Sequence, residues 1–433
     1  MELLNVFVLI VSFGLLVVVG VPISFSIGLS TLLTMLLSIQ SLPALTTVAQ
    51  RMATGLDSFA LLAIPFFILS GQLMNRGGIA RRLIDFAKVI FGMLPGGLAF
   101  VNIMAAMLFG AISGAAVAAA AAIGGFMAPM MKKEGYKPGY SSAVNITSST
   151  VGLVIPPSNV LIVYSLASGG SVSIAALFLA GYVPGILVGL ALMVVAAAIA
   201  LREKYPVAGP VALKVALLRF LDALPSLFLI VVVIGGIVAG YFTATEASAI
   251  AVLYTFVLSV LIYREVKWKE LGRVLLDSAS TTAVVMLLVA TSMAMSWILA
   301  YEKIPQNVSA SLMALTDNKI LILLIINCVL LLVGIFMDIT PAVLIFTPIF
   351  LPVVVELGVD PVHFGIIIVL NLCIGLCTPP VGTVLFVGCG VSKTSIAEVI
   401  RPLLPLFVAM IAALLLVTFI PELSLTLPWL FGF

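Results

Sequence analysis

Apolar runs of about 20 residues, each long enough to cross a hydrocarbon core of about 30 Å as a helix, follow one another along the chain with short polar turns between them. The pattern predicts spanning helices over 3–20, 22–40, 58–75, 141–167, 173–200, 224–241, 243–263, 274–300, 361–391 and 402–420. Two further apolar stretches, 96–131 and 320–357, are interrupted midway by small or polar residues, at "FGAISGAAVAAA" and "VGIFMDITPAVLIF". Each reads as two half-length helices meeting at a tip, a re-entrant hairpin that enters and leaves on one side. Non-helical backbone at that depth must be buried in protein or line a watery cavity. Residues 76–95, "RGGIARRLIDFAKVIFGMLP", alternate charged and apolar positions and are expected to lie as an amphipathic helix along the membrane surface.

The pattern also repeats. "GLVIPPSNVLIVY" (152–164) matches "GLCTPPVGTVLFV" (375–387), and in the same register Pro129 falls on Pro352, Gly135 on Gly358 and Pro138 on Pro361. An odd number of crossings separates the copies, so the second is expected upside down. The fold class expected is an all-α polytopic membrane protein of two inverted-topology repeats, with two re-entrant hairpins and two broken helices, as in secondary transporters. The segments expected are 1–75, scaffold helices and the start of the first repeat; 76–95, the surface arm; 96–200, the first transport half; and 201–223, a cytoplasmic connector. They continue as 224–319, the second scaffold and arm; 320–401, the second transport half; and 402–433, a C-terminal helix.

Composition narrows the function classes. Hydrophobic residues make up 63% and charged residues 9% of the 433, against about 25% charged in soluble domains, which leaves no room for a large soluble domain. The N-terminal stretch lacks the basic region and cleavage site of a signal peptide and reads as the first membrane helix. Seventeen of the twenty Lys and Arg fall in one set of loops, leaving only Arg51, Lys303 and Lys319 on the other side. The positive-inside rule places the first set in the cytoplasm of an inner-membrane protein, with both termini periplasmic. The net charge of +3 is spread over membrane loops and implies no nucleic-acid partner.

An enzyme finds little material. The single His363 is expected in a polar surface turn, without a second histidine for zinc or triad chemistry. Cys373 and Cys377 read as apolar fillers rather than a metal pair, and no P-loop is present. A carrier driven by an ion gradient fits better than an intramembrane enzyme or a channel.

The proline pairs carry the strongest local signal. Pro156 and Pro157, like Pro379 and Pro380, cannot donate backbone hydrogen bonds and clash with the preceding turn, so the helices should open around Gly152–Ile155 and Gly375–Thr378. Opening frees carbonyls suited to a hard cation, and the half-helices restarting at Ser158 and Val381 aim positive dipole ends at the same place. A plain kink is the alternative. Gly110, Ser113 and Gly114 at the first tip offer close backbone approach, or simply small-residue packing. At the second tip Asp338, beside Gly334, Met337, Thr340 and Pro341, is an intramembrane carboxylate that would ligate a cation, carry a proton or cap the next helix. Ser148, Ser149, Thr150, Asn159 and Thr383 flank the breaks and are candidates for contacting the solute. Glu246 reads as a cap at a helix start.

"GAISGAAVAAAAAIGGFMAPMM", "IPPSNVLIVYSLASGGSVSIAALFLAGYVPG", "TATEAS" and "TPPVGTVLFVGC" together resemble, over nearly the whole chain, the large membrane subunit of tripartite ATP-independent periplasmic (TRAP) transporters. The resemblance implies an elevator mechanism and sodium coupling, with no organic cofactor. It also implies a small four-helix membrane subunit and a periplasmic substrate-binding protein as partners. By motif match, the sodium sites it implies fall on Gly110, Ser113, Gly152, Ile155 and Ser158, and on Gly334, Gly375, Thr378 and Val381, much of the coordination being backbone carbonyl. Family solutes are small carboxylates such as C4-dicarboxylates and sialic acid, and the overall look is nearest the sialic-acid type. Where the family often carries a second serine in the first tip, this chain has Ala115. A stand-alone sodium–carboxylate carrier of related architecture is the alternative within transporters.

Overall fold

A computed structural model describes residues 2–207, 212–316 and 318–433. Every regular element in it is a helix. Among the described residues, eight helices are long and apolar enough to cross a membrane, and shorter apolar helices are present besides them.

One group consists of Glu2–Val18, Ile23–Ser38, Ser41–Leu56, Ala63–Arg76, Leu213–Val238, Ala244–Phe256 and Trp268–Tyr301, which pack on one another. The second group holds the hairpins and the broken helices. Gly97–Ser113 and Ala116–Lys133 form the first hairpin, with its turn at Gly114 and Ala115. Lys319–Phe336 and Ile339–Glu356 form the second, turning at Met337 and Asp338. The first broken helix runs Pro138–Val151 and then Asn159–Ala167; the second runs Pro361–Gly375 and then Thr383–Ser392.

The two halves interlock in a repeated way. The first helix of each hairpin packs on the leading half of its own broken helix, and the second helix of each hairpin packs on the restarted half of the other one. Tyr164 at the end of one broken helix donates to the Pro361 carbonyl at the start of the other, at 2.6 Å. Ser142 and Thr394 meet at 3.0 Å at the opposite end. Helices Ile174–Glu203 and Ile396–Phe419 close over this unit.

The surface arm forms as helix Ile79–Phe91, which buries Ile79, Ala80, Leu83, Ile84 and Ala87 at helical spacing. Its charged face is tied to the neighbouring helix by Arg82–Asp222 at 3.3 Å and Arg219–Asp85 at 3.0 Å. The Arg82 guanidinium also lies 3.6 Å from the Tyr263 ring centroid. Among the described residues, each of the four ion pairs takes its base from the basic set of loops.

Four expectations change. Residues 213–223 of the predicted connector are the first turns of Leu213–Val238; Lys214, Arg219 and Asp222 made them look like loop, but two of these charges are paired against the arm. Residues 41–56, left between predicted spanning helices, form a helix, whereas helix 304–315 falls within the segment expected as the second scaffold and arm. Beyond Ile396–Phe419, the C-terminal stretch adds a short helix, Glu422–Leu430. His363 is not in a surface turn: Asp360 caps the helix by accepting from Val362 and His363 amides, which starts the helix early and turns the imidazole inward. There it is 2% exposed, with Nδ1 2.6 Å from Ser424 Oγ and Nε2 3.3 Å from the Thr418 carbonyl.

Candidate functional site

The prolines open the helices where the sequence predicted. Pro138–Val151 stops at Gly152, and the chain runs without helix until Ser158, the N-cap of the next segment. Pro361–Gly375 stops likewise and resumes after Gly382. Restart thus comes one and two residues later than expected, at Asn159 and Thr383. Among the described residues, no carbonyl from Gly152 to Pro157 accepts a hydrogen bond. In the second break the Gly375 and Thr378 carbonyls are taken by the amides of Thr378 (2.9 Å) and Gly382 (3.2 Å), leaving those of Leu376, Cys377 and Pro379 to Val381 free.

Each break is crossed at close range by its hairpin. A Cβ added to Gly152 would lie 2.5 Å from Gly110 Cα, and one added to Gly375 would lie 2.5 Å from Gly334 Cα. The reciprocal distances, 2.9 Å from Gly110 and from Gly334, are equal too. Backbone atoms cannot rotate aside, so these four positions exclude a side chain, and the free carbonyls are held beside the hairpins' last turns.

Four of the five residues expected at the first sodium site, Gly110, Ser113, Gly152 and Ser158, are buried, and Ile155 is half-buried. Ser158 is 0% exposed, and its Oγ finds no hydrogen-bond partner among the described residues. A buried hydroxyl left unpaired costs about 1–3 kcal/mol; nine other buried side-chain atoms among the described residues also lack a partner. In the second set Gly334 and Gly375 are buried, but Val381 is 40% exposed. Thr378 is half-buried and returns its hydroxyl to the Ile374 carbonyl at 2.9 Å.

Between the two hairpin tips lies a cavity of about 220 Å³. Asn159 and Asp338 line it, together with Gly114–Val117, Ile339, Thr340 and, from helix Trp268–Tyr301, Thr281 and Val285. Three helices begin at its wall: Ala116–Lys133, Asn159–Ala167 and Ile339–Glu356. Gly114 adopts φ +63°, and a Cβ there would meet the Asn159 amide nitrogen at 2.8 Å. Asp338 caps its helix, accepting from the Ile339 amide at 2.8 Å, yet stays exposed to the cavity. Among the described residues, no Lys or Arg lines this space.

The other candidates lie elsewhere. Ser148, Ser149 and Thr150 are fully buried and donate to carbonyls of their own helix at 2.7, 2.6 and 3.0 Å. Thr383 is exposed and does not line the cavity. Glu246 completes a capping box with Thr243. Sequence reasoning missed Gly181 and Gly185, four residues apart, which let helix Ile174–Glu203 settle on the first break. A Cβ at either would come within 2.2 Å of the Val154 carbonyl or 2.3 Å of the Ile155 side chain. Their spacing was a visible signal for that close approach.

Comparison with known proteins decides the family. The profile described as "Tripartite ATP-independent periplasmic transporter, DctM component" matches residues 10–423. The chain belongs to this family. It is 57% identical to the YgiK protein of Salmonella typhimurium, with 99% of this chain and 98% of that one covered. It is 39% identical to the C4-dicarboxylate TRAP transporter large permease protein DctM of Rhodobacter capsulatus, covering 98% and 99%. The sialic acid TRAP transporter large permease protein SiaM of Vibrio cholerae is 37% identical, covering 95% and 96%. In fold the chain is similar to the YdaH transporter of Alcanivorax borkumensis, with a TM-score of 0.65 at 14% identity, covering 87% and 88%. A TRAP large permease is a multi-pass membrane component of a three-part transport system, not an enzyme.

Proposed function

We propose that this TRAP large permease translocates a small carboxylate across the bacterial inner membrane, driven by sodium, with the interlocked hairpin unit moving against the outer helices as an elevator. The observation that carries the reading is the cavity between the tips. Three helix N-termini meet there, and each helix dipole places about half a positive charge at its start; the Asp338 carboxylate offsets that of Ile339–Glu356, which leaves Ala116–Lys133 and Asn159–Ala167 to face the solute. An anionic solute is thereby accommodated without a basic side chain. Asn159 offers it an amide. Asp338 would repel a second anionic group and accept from a hydroxyl, which suits a hydroxylated acid such as a sugar acid better than a compact dicarboxylate.

Sodium fits the donor set at the breaks: uncharged carbonyl oxygens and the unpaired Ser158 hydroxyl. Gly110, Ser113, Gly152, Ile155 and Ser158 would hold one ion, and Gly334, Gly375, Thr378 and Val381 another. Their charge would offset that of the solute. A small four-helix membrane subunit and a periplasmic binding protein complete the system in this reading.

Uptake of radiolabelled sugar acids and dicarboxylates into proteoliposomes is the test, with and without an inward sodium gradient and with and without the binding protein. Uptake requiring both is expected. Uptake by this chain alone would instead make it a stand-alone carrier.

Orientation has its own test. By the positive-inside rule, Lys133 is read as cytoplasmic and Asp360 as periplasmic, with both chain ends periplasmic. In a background without native cysteines, Asp360→Cys should react with an impermeant maleimide on intact cells, while Lys133→Cys should react only after lysis. Loss of the Asp360 cap costs about 1 kcal/mol, too little to unfold the helix. The reverse labelling would invert both hairpins.

A further inference from the structure

Helices Ile174–Glu203 and Ile396–Phe419 border a second cavity, of about 750 Å³, far from the hairpin tips in the fold. Arg202 and Arg401 line it, and neither has an ion-pair partner among the described residues. The other charges in the wall are accounted for. Lys137 is paired with Glu203 at 2.5 Å, and that hydrogen bond holds its ammonium above the usual lysine range. Glu398 sits in the first turn of its helix, where a carboxylate complements the dipole.

One side of the cavity is stiff. Tyr136, Tyr140 and Tyr205 stack with ring centroids 4.1–6.4 Å apart, and the last two face the cavity. The rest of the lining is apolar, through Ile199, Pro402 and Pro405. On the same two helices Val194, Leu201, Leu404 and Val408 are more than half exposed, as residues facing acyl chains would be.

Two free guanidinium groups above an apolar flank have the polarity of a phospholipid at the membrane boundary, and Arg matches a phosphate bidentately. We propose that this cavity binds the phosphate head group of an anionic phospholipid, held by Arg202 and Arg401 with its chains along the apolar flanks. The leaflet is the cytoplasmic one, which rests on the orientation proposed above; binding itself does not depend on it. Both bordering helices pack on the broken helices, so the lipid would belong to the interlocked unit.

The test uses the purified full-length protein in detergent, titrated with dioctanoyl phosphatidylglycerol, dioctanoyl phosphatidylcholine or inorganic phosphate. Bound lipid is counted by native mass spectrometry, and melting is followed in parallel. Phosphatidylglycerol should be retained over phosphatidylcholine. Its retention should fall at least about fivefold in R202Q/R401Q and stay unchanged in K133Q, a substitution of a lysine outside the lining. If the double variant is not monodisperse, the single substitutions are compared, each expected to lose about two- to threefold. Equal retention by wild type and the arginine variants would overturn the proposal. So would stabilisation by inorganic phosphate as large as that by phosphatidylglycerol, because a free anion would then be the occupant.

Discussion

The two proline breaks are built alike and finished differently. In both, a hairpin glycine crosses a helix-end glycine at the same pair of distances, 2.5 and 2.9 Å. Yet Pro156, Pro157 and Ser158 are buried, with helix Ile174–Glu203 seated on Val154, Ile155 and Pro156, whereas Pro380, Val381 and Thr383 are exposed. The first break keeps all its carbonyls from Gly152 to Pro157 free; the second spends two on its own amides. The positions matching Gly181 and Gly185 are Leu404 and Val408, which are more than half exposed. What the halves share is therefore the backbone crossing, and what distinguishes them is the cover. A pair of equivalent openings, one sealed and one accessible, is the asymmetry a carrier needs if its two sides open in turn.

The comparison breaks most severely at the crossing itself. Gly152→Ala and Gly375→Ala each drive a methyl into backbone, where overpacking costs about 1–3 kcal/mol or more. Both should lose uptake by at least about tenfold, equivalent to about 1.4 kcal/mol, with reduced amounts of protein in the membrane. The outcome to watch is parity. If Gly375→Ala transports normally at matched membrane levels while Gly152→Ala does not, the crossings are not equivalent.

The proline pairs separate shared frame from unshared cover. Replacing Pro156 and Pro157 together by Ala restores helix-forming backbone, favoured by about 3 kcal/mol per residue, and draws the carbonyls back into the ladder. The Pro379 and Pro380 double substitution does the same. Uptake should fall near background for both. Only the first pair should also lower the melting temperature, because the helix seated through Gly181 and Gly185 has to be displaced. Near-normal sodium-driven uptake by either would make its break a packing kink.

The parts of this arrangement that were legible in the sequence are those written in backbone chemistry. Proline removes a donor and glycine removes a side chain wherever the chain is folded, so the breaks and the tips could be located without coordinates. Which way a side chain turns was not legible. Ser148, Ser149 and Thr150 looked like a polar patch beside the break, but in a helix a hydroxyl can satisfy itself on a carbonyl three or four residues back, and all three do. Asp338 and Asn159, with the same kind of sequence context, face the cavity instead. Charge misled at 213–223, since Arg219 and Asp222 mark a helix bonded to a neighbour rather than a loop. The inward turn of His363 depended on Ser424, about sixty residues away, which no local pattern reports.

The finest contrast is between two hydroxyls. Ser158 Oγ is fully buried and unpartnered, while Thr378 Oγ1 is half-buried and already donates to Ile374. If both only pack, Ser158→Ala removes an unsatisfied polar atom and should stabilise the protein with no change in sodium activation. As a ligand to the cation, Ser158 should behave otherwise: its loss should weaken apparent sodium affinity several-fold to about tenfold, in line with about 1 kcal/mol for one polar contact. Thr378→Ala should shift affinity by less, because its hydroxyl has an existing bond to give up and the backbone carbonyls around it remain. Sodium activation of uptake, measured on both variants in reconstituted vesicles, ranks them. Melting in sodium-free buffer supplies the second axis, on which Ser158→Ala should be at least as stable as the wild type. A Thr378→Ala shift larger than that of Ser158→Ala would reverse the roles of the sealed and the exposed break. An unchanged sodium curve for Ser158→Ala, together with a raised melting temperature, would remove the serine from the site and leave the free carbonyls to hold the ion alone.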